Sequence, residues 1–324
     1  MSEISGDDVT LSKFRSISSL GVERRQGNPK TRRVGRRFSL TPWGFLAAAL
    51  VLMITFTYYP VANMFWYSFT NWDGLNPTKS YVGLSNYVDL FTRPQYFQVF
   101  FVSLYYIVGS FIQQALALYF ATLLSFKTKF KNIFKGIIFF PYLLNGVAVA
   151  LIFLFFFQPG GTLDSTLHLF GIGKAGSYPL WLGDRSLVNI SLSGASIWRY
   201  TGLSFVLFLG TIQSIPAEIY EAADIDGANS WQKFRFMILP GIRRILGLSL
   251  ILAISGAISA FELPYIITGG QNGSSTFVVT SVQQAFLFQR IGFASAMAVV
   301  LLVVIIVVTL FQRWVFPDDE VELS

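Results

Sequence analysis

The sequence contains no cysteine and a single histidine, His168, among its 324 residues. Disulfide bonds, thiol catalysis and metal sites built on clusters of cysteine and histidine are therefore excluded. Charge is also scarce, because Asp, Glu, Lys and Arg together make up only 13% of the chain, against about 25% in a typical soluble protein. So few charged side chains cannot cover a water-facing surface of this size, and much of the surface is expected to face lipid.

Enzyme motifs are missing as well. A Walker A phosphate loop is absent, since Lys174 is followed by Ala175 and His168 stands where the first glycine would be. No G-x-S-x-G motif occurs, and a single histidine cannot supply a zinc helix of the H-E-x-x-H type. A membrane-embedded enzyme would need a clustered acid–base or metal set, which the sequence does not supply. We therefore expect a non-catalytic chain that binds no metal or cofactor.

What the sequence does contain is long apolar runs. A bilayer core of about 30 Å is crossed by about 20 helical residues. Runs of at least this length occupy residues 43–67, 98–124, 136–158, 188–213, 245–267 and 291–316. They are too long for barrel strands, and backbone groups in lipid must form their hydrogen bonds internally. The sequence therefore predicts an all-α integral membrane protein with six transmembrane helices.

Basic residues indicate the orientation of these helices. The tail of residues 1–40 carries nine Lys and Arg residues, and the loops at 125–135 and 214–244 carry four each. Together with the one basic residue at the C-terminal end, these segments hold 18 Lys and Arg residues, whereas the loops on the opposite side of the membrane hold five. By the positive-inside rule, both termini and these two loops are cytoplasmic. The net charge of +7 thus reflects membrane orientation, and no nucleic-acid partner is expected.

The chain divides into four parts on this basis. Residues 1–40 are a basic cytoplasmic tail, predicted to be disordered or to lie on anionic lipid. Residues 41–97 hold the first helix and an outward loop. Residues 98–316 form a core of five helices with a cytoplasmic loop at 214–241, and residues 317–324 are a short acidic cytoplasmic end.

The cytoplasmic loop between the fourth and fifth helices has the local signals of two short helices. Ser214 is placed to cap the first helix, Pro216 suits its first turn and Gly227 suits its end. Ser230 is placed to cap a second helix that ends before Pro240. Small side chains before the glycine leave a face without bulk, which favours close approach of a soluble partner. An ordinary interfacial connector would share these features.

The same loop matches a known signature. Residues 221–223 read E-A-A, Gly227 follows after three residues, and residues 237–240 read M-I-L-P after a further nine. This pattern resembles the E-A-A-x3-G-x9-I-x-L-P signature of ABC importer permeases, with Met237 at the position where isoleucine is usual. The I-D-G-A sequence at 225–228 resembles the carbohydrate-uptake branch of that family.

A second block agrees with this resemblance, which covers roughly residues 60–315. Residues 261–270 and 293–298 resemble the region from the fifth to the sixth helix of sugar-type permeases, although residues 271–273 read Q-N-G where a third glycine and a proline are typical. The chain also resembles the first permease subunits of bacterial alginate importers, which places alginate among the expected substrates. The five positive charges of the outward loops do not themselves indicate an acidic substrate.

The resemblance implies a function and a set of partners. The chain would be a permease subunit of an ATP-driven importer in the bacterial inner membrane, moving an oligo- or polysaccharide by alternating access. A second, non-identical permease, two ATPase subunits that bind ATP and magnesium, and an extracytoplasmic substrate-binding protein would complete the transporter. The loop would be the coupling helix that docks on an ATPase. The matching residues are Glu221, Ala222, Ala223, Asp226, Gly227 and Pro240.

Polar residues inside the spans are candidates for the substrate path, because ionisable groups in a membrane are costly and tend to be functional. The candidates are Arg199, Glu262, Asn145, Gln113 and Gln114. The alternative for the two charged residues is a structural pair or interfacial anchors, and for the amides it is hydrogen bonding between helices. Pro141 and Pro264 are expected to kink their helices.

An ATP-independent secondary carrier or a channel is the alternative function. Such a carrier would be expected to show an internal repeat with paired broken helices. A comparison of the two halves of the sequence reveals no second copy of the loop at 221–240. This absence favours the ABC permease.

Overall fold

The computed structural model describes residues 40–126, 130–172 and 178–315. The basic tail, apart from its last residue, and the acidic end lie outside these ranges. Contacts divide the chain into two compact units, Met1–Met53 and Ile54–Ser324. The described residues of the first unit form helix α1, Leu40–Met53, whose sequence contains no charged residue.

The second unit is built from helices. They are α2 Tyr59–Tyr67, α3 Ser85–Thr92, α4 Pro94–Phe97, α5 Val99–Ser125, α6 Lys131–Leu143, α7 Gly146–Phe157, α8 Thr162–Leu169, α9 Val188–Gln213, α10 Ala217–Ile225, α11 Ser230–Lys233, α12 Leu239–Gly241, α13 Arg243–Ile258, α14 Glu262–Thr268, α15 Phe277–Val282 and α16 Ile291–Val315. Short π-helical turns occupy Ile54–Tyr58, Phe234–Ile238 and Gln283–Leu287. Strand pairing in the described ranges is limited to one isolated bridge, between Thr70 and Tyr81. The predicted all-α fold is confirmed.

Several helical stretches are long and apolar enough to cross a bilayer. Four of them are Leu46–Tyr67, Pro94–Ser125, Arg243–Thr268 and Ile291–Val315. Two further pairs qualify together but are bent, α6 with α7 by 98° and α9 with α10 by 71°. When each bent pair is counted as one span, the described residues hold up to six candidate spans, in agreement with the six that the sequence predicts. The predicted fourth span, residues 188–213, corresponds to α9 and does not include α10.

The third predicted span is not the single helix expected over residues 136–158. It is divided into α6 and α7, which meet at 98°. Leu144 is extended, with φ −71° and ψ 141°. The side chain of Asn145 then accepts a hydrogen bond from the backbone N–H of Val147 at 2.8 Å, which caps a new helix. Pro141 lies inside α6. The bend between α6 and α7 is therefore located at the asparagine cap and not at the proline.

The fifth predicted span is interrupted too. Helix α13 ends at Ile258 and α14 begins at Glu262. Ala260 lies four residues before Pro264, whose ring would clash with a helical carbonyl at that position. The Ala260 carbonyl instead accepts a hydrogen bond from Thr276 Oγ1 at 2.6 Å. In place of the kink expected at the proline, the helix is interrupted over residues 259–261 within a stretch that still counts as one span. The Ala260 carbonyl is satisfied within the protein, as spanning helices require.

Small residues hold α9 close to its neighbours. A Cβ on Gly109 of α5 would collide with Ser193 Oγ and lie 3.5 Å from Ile197 Cγ1, both on α9. A Cβ on Gly202 of α9 would lie 2.7 Å from the carbonyl oxygen of Ile138 in α6. Small side chains allow this close approach of helix backbones in membrane bundles. Helix α9 is thus fixed against both α5 and α6, and it carries residues of the site described below.

Candidate functional site

The signature loop lies on the surface of the protein. Helix α10 turns away from α9 by 71° and has no buried residue. Most of the predicted coupling residues are exposed and Ala223 is half-buried; the exposed ones are Glu221, Ala222, Asp226, Gly227 and Pro240. Apolar side chains face outward beside them, since Ile225 is 87% exposed and Trp231 is 66% exposed. This surface is left uncovered by the part of the chain that the structure describes.

Gly227 ends α10, as predicted. Its φ is +73°, a left-handed conformation that favours glycine. Its N–H donates to the carbonyl of Asp224 at 3.2 Å, and the N–H of Ala228 donates to the carbonyl of Ala223 at 2.9 Å. These two bonds are those of a Schellman motif, so the glycine fixes the direction in which the chain leaves the helix.

The two predicted serine caps are wrong. Ser214 ends α9, where its hydroxyl bonds back to a carbonyl of that helix at 2.7 Å. Pro216 precedes α10 without any side-chain cap. Helix α11 is capped one residue before Ser230, because Asn229 and Gln232 form a reciprocal capping box. The capping box satisfies two backbone donors, one more than a lone serine could.

The loop is nevertheless anchored to the membrane helices. Lys233 forms an ion pair with Asp224 of α10. The rings of Trp231 and Phe234 stack with their centroids 5.5 Å apart. Ile238 is fully buried in an apolar cluster that includes side chains of α5 and α9. Helix α10 is therefore connected to the spans through the segment that follows it.

A second polar region lies where two spans are broken. Arg199 Nη1 of α9 is 2.5 Å from Glu262 Oε2, in the first residue of α14. The arginine side chain is only 12% exposed, whereas the glutamate is 50% exposed. The ring of Tyr200 lies 5.1 Å from the guanidinium, and Arg199 Nε is buried without a hydrogen-bond partner in the described structure. The arginine cation is thus enclosed by protein, and the glutamate carboxylate is half-exposed.

The break in the third span meets this ion pair. Gly146 is the first residue of α7, and a Cβ there would overlap the Glu262 carboxylate and lie 2.8 Å from Arg199 Nη1. Asn145, which caps α7, is the preceding residue. We call Asn145, Gly146, Arg199 and Glu262 the helix-break site. The ion pair of Arg199 and Glu262 therefore packs against the residue that follows Asn145, and residues of three separate spans come together.

The two predicted glutamines belong to an adjoining hydrogen-bond network. Gln113 Nε2 donates to the Tyr200 carbonyl at 3.2 Å and to Ser204 Oγ at 3.1 Å. Gln114 Nε2 donates to the Ser249 carbonyl at 2.9 Å, and its Oε1 accepts from Ser249 Oγ at 3.0 Å. Gln113, Gln114, Ser204 and Ser249, here called the amide network, join α5, α9 and α13. Both glutamines therefore make the interhelical hydrogen bonds that were their alternative interpretation.

A cavity of about 200 Å³ borders the amide network. Its polar and aromatic lining residues are Gln113, Tyr142, Tyr200, Ser204 and Ser249. The two tyrosine rings lie 6.5 Å apart, and Tyr200 directly follows Arg199, so the cavity adjoins the helix-break site. Hydroxyl, amide and aromatic groups of this kind can bond and stack a polar organic ligand. Among the described residues, no three His, Cys, Asp or Glu side chains approach each other closely enough to hold a metal.

Gly146, Tyr142, Ser204 and Ser249 were not singled out from the sequence. The pair Asn145–Gly146 is a turn dipeptide inside an apolar run, and this signal could have predicted the break. No comparable signal pairs the serines with the glutamines, because their contacts depend on how three helices pack.

Residues 113–318 match the family described as the inner membrane component of binding-protein-dependent transport systems. The chain belongs to this family of ABC transporter permeases. It is 33% identical over 276 residues to the multiple sugar-binding transport system permease protein MsmF of Streptococcus mutans, covering 83% of this chain and 93% of MsmF. It is 32% identical over 279 residues to the arabinooligosaccharides transport system permease protein AraP of Bacillus subtilis, covering 84% and 87% of the two chains.

A solved structure shares the fold of this permease. A chain of the bacterial alginate ABC transporter, crystallised in complex with an alginate pentasaccharide-bound periplasmic protein, superposes with a TM-score of 0.75. The match covers 85% of this chain and 93% of that chain, at 19% sequence identity. At this identity the likeness establishes the architecture and does not assign the substrate.

Proposed function

We propose that this permease is one half of the membrane pore of an ATP-driven importer of oligo- or polysaccharides. The observation that carries the proposal is the exposed E-A-A helix, α10, within residues that match the transport family. The sugar-transport names of its relatives support a carbohydrate substrate. The chain itself is non-catalytic in this proposal, and ATP and magnesium are bound by its partners.

The signature loop is the proposed docking surface for an ATPase subunit. The small residues Ala222, Ala223 and Gly227 would allow close approach of that subunit. Ile225 and Trp231 would add apolar contact area, and its removal from water would favour binding. The carboxylates of Glu221 and Asp226 are exposed and would contact polar or basic groups of the ATPase. Pro240 fixes the backbone at the end of the loop, where the chain returns to the membrane.

A complete transporter requires further proposed partners. A second, non-identical permease would supply the other half of the pore, and a second ATPase would dock on it. A substrate-binding protein would deliver the saccharide to the outward face. Both termini of this chain would be cytoplasmic, in agreement with the distribution of basic residues.

The helix-break site and the amide network are proposed to border the substrate path. Arg199 and Glu262 pair against Gly146, the residue after Asn145, where two spans are interrupted. Irregular backbone in a membrane protein is tolerated where it is buried or lines a cavity. Gln113 and Gln114 fix three helices around the adjoining cavity. Saccharide hydroxyls would find acceptors and donors along this route.

The test is dependence on partners and ATP. The permease should be purified with its partner permease and ATPases, reconstituted in liposomes and supplied with binding protein and a set of saccharides. We expect binding protein with its saccharide to stimulate ATP hydrolysis and to permit ATP-dependent uptake. Saccharide uptake by this chain alone without ATP would instead establish the secondary carrier or channel. Stimulation only by non-carbohydrate solutes would retain the permease and overturn its substrate class.

A further inference from the structure

The first outward loop contains a short amphipathic helix, α3, which is fixed to the protein by one face. Leu90 is fully buried beside Phe293 and Met297 of α16. Asn86 Nδ2 donates to two backbone carbonyls of the preceding segment at 2.8 and 2.9 Å. Helix α3 is therefore held against the first turns of α16.

The charged groups next to α3 are paired with one another. Asp89 lies 3.2 Å from Arg93 and 3.7 Å from Arg290. Arg290 also donates to the hydroxyl of Tyr96 at 3.0 Å. Ion pairing of this kind lowers the cost of placing the segment beside a membrane surface, where single charges are poorly accommodated.

The opposite side of α3 and the residue before it carry exposed apolar side chains. Leu84 is 64% exposed, Val88 is 56% exposed and Phe91 is 55% exposed. Their spacing of four and three residues places them on one side of the helix, and we call them the outer stripe. Isolated apolar residues are common on protein surfaces, but these three adjoin one another, with the exposed polar residues Ser85 and Thr92 to one side of them.

An apolar groove of about 390 Å³ continues from this stripe. Its walls include Phe91, Phe97 and Phe100 on one side and Val299, Val303 and Val304 of α16 on the other. Tyr87 also borders it, but its hydroxyl is bonded to Ser68 Oγ at 2.7 Å. The valines lie about 12–20 Å along α16 from its first residue. This is the depth of acyl chains for a helix that begins at the membrane surface.

We propose that lipid acyl chains of the outward-facing leaflet occupy this groove and cover the outer stripe. The groove opens onto the exposed apolar face of α16, where Val303 is 50%, Val307 is 58% and Leu310 is 60% exposed. A spanning helix turns such a face to hydrocarbon, and the groove extends that face up to α3. A water-soluble protein partner would instead be expected to meet a polar rim.

This arrangement gives the lipid a contact with the outward end of the last span. The outer stripe belongs to the helix that carries Asp89, and Asp89 is paired with Arg290 directly before α16. Lipid packed on the stripe would therefore hold α3 and the start of α16 together at the membrane surface. The inference does not depend on which solute the permease moves.

The absence of cysteine allows a direct test with single spin labels. Val88→Cys and, separately, Leu84→Cys should be labelled with a nitroxide in the full chain, in lipid nanodiscs with and without its partner subunits. Collision rates with oxygen and with a water-soluble nickel chelate are then measured. Val307→Cys serves as the lipid-facing reference, and Thr78→Cys, on an exposed part of the same loop, serves as the aqueous reference.

We expect both stripe labels to favour oxygen over the nickel chelate several-fold, as the Val307→Cys label does. Preferential collision with the nickel chelate, as at Thr78→Cys, would show a water-facing stripe and overturn the proposal. Labels that are immobile and closed to both reagents would show that protein covers the stripe, which overturns it as well. Agreement between the two stripe positions excludes a distortion caused by either substitution.

Discussion

The helix-break site and the signature loop differ in where their residues find partners. At the helix-break site, Arg199 is paired with Glu262, and Gly146 has no room for a Cβ. In the loop, α10 has no buried residue and a Cβ on Gly227 would have no neighbour within 4 Å. The first region is packed and paired mainly within its own chain, although Arg199 Nε has no hydrogen-bond partner among the described residues. The described chain leaves the second region uncovered.

This difference determines what a substitution should do. A change at the helix-break site disturbs contacts among three spans, so stability and uptake are expected to fall together. A change in the loop leaves the bundle intact, so coupling to ATP hydrolysis is expected to fall while the folded protein persists. Stability and uptake measured on the same variants therefore test whether the two regions differ in this way.

Replacement of Arg199 by alanine is expected to have the largest effect. Removal of one partner from a buried ion pair costs about 3–5 kcal/mol. Because Glu262 is half-exposed, solvent should reduce the loss below this range. We expect the thermal unfolding midpoint, the amount of folded protein in the membrane and the saccharide uptake all to decrease. These quantities are measured on matched membrane preparations.

Arg199→Lys is the matched control, since it keeps the charge but loses the planar guanidinium fork, and it should have an intermediate effect. Uptake lost at unchanged stability would contradict the structural part of this expectation and would give Arg199 a direct contact with substrate. Unchanged uptake and stability in Arg199→Ala would remove the helix-break site from the path altogether.

Gly227→Leu should abolish coupling while leaving the protein folded. A left-handed conformation costs a residue with a Cβ about 1–2 kcal/mol, and leucine would also obstruct close approach of an ATPase. We expect loss of ATP-dependent uptake with an unfolding midpoint that falls only slightly, because the strain is confined to the loop. Two smaller variants separate the two causes, because asparagine tolerates the left-handed conformation better than alanine does but is larger.

If backbone conformation is decisive, Gly227→Asn should retain more uptake than Gly227→Ala; if space is decisive, the order should reverse. Co-purification of the ATPase with Gly227→Leu at normal levels, together with normal uptake, would show that this glycine has no role in coupling.

Much of the fold could be predicted from the sequence because its signals are local. Runs of apolar residues give the six spans regardless of their neighbours, and the turn signal of Gly227 depends only on its own backbone. The exposed E-A-A helix was likewise predictable, since the loop lies between two spans and none of the residues of α10 is buried in the core.

The arrangement of the polar groups inside the spans was not predictable in the same way. Arg199 and Glu262 are 63 residues apart in the chain, and their contact depends on the packing of broken helices. The break at Asn145 was missed because the apolar run of residues 136–158 was interpreted as one continuous helix despite the asparagine–glycine pair inside it. The serine caps failed for a similar reason, since stronger capping groups were available one residue away or not needed.

Gln114→Leu should have a smaller effect than Arg199→Ala or Gly227→Leu. The substitution removes hydrogen bonds to Ser249 in the amide network, and such interhelical bonds contribute about 0.6–2 kcal/mol in membrane proteins. We expect a modest decrease in the unfolding midpoint and a partial decrease in uptake. Gln98→Leu, at an exposed position before α5, is the matched control and should change neither. A midpoint that rises in Gln114→Leu would show that apolar packing suits this position better than the network does.

Asp224→Ala should have the smallest effect, although it lies in the same loop as Gly227. Its partner Lys233 is mostly enclosed, but Asp224 is 66% exposed, and exposed ion pairs contribute about 0.2–1 kcal/mol. The unfolding midpoint should therefore change little, and a double-mutant cycle with Lys233→Ala should give a weak coupling energy that decreases further at high salt. Uptake is expected to stay close to normal, because the Schellman motif rather than the ion pair fixes the end of α10. Loss of uptake at an unchanged midpoint would extend the docking surface to Asp224, and a large drop in the midpoint would mean that the loop depends on its own chain as the helix-break site does.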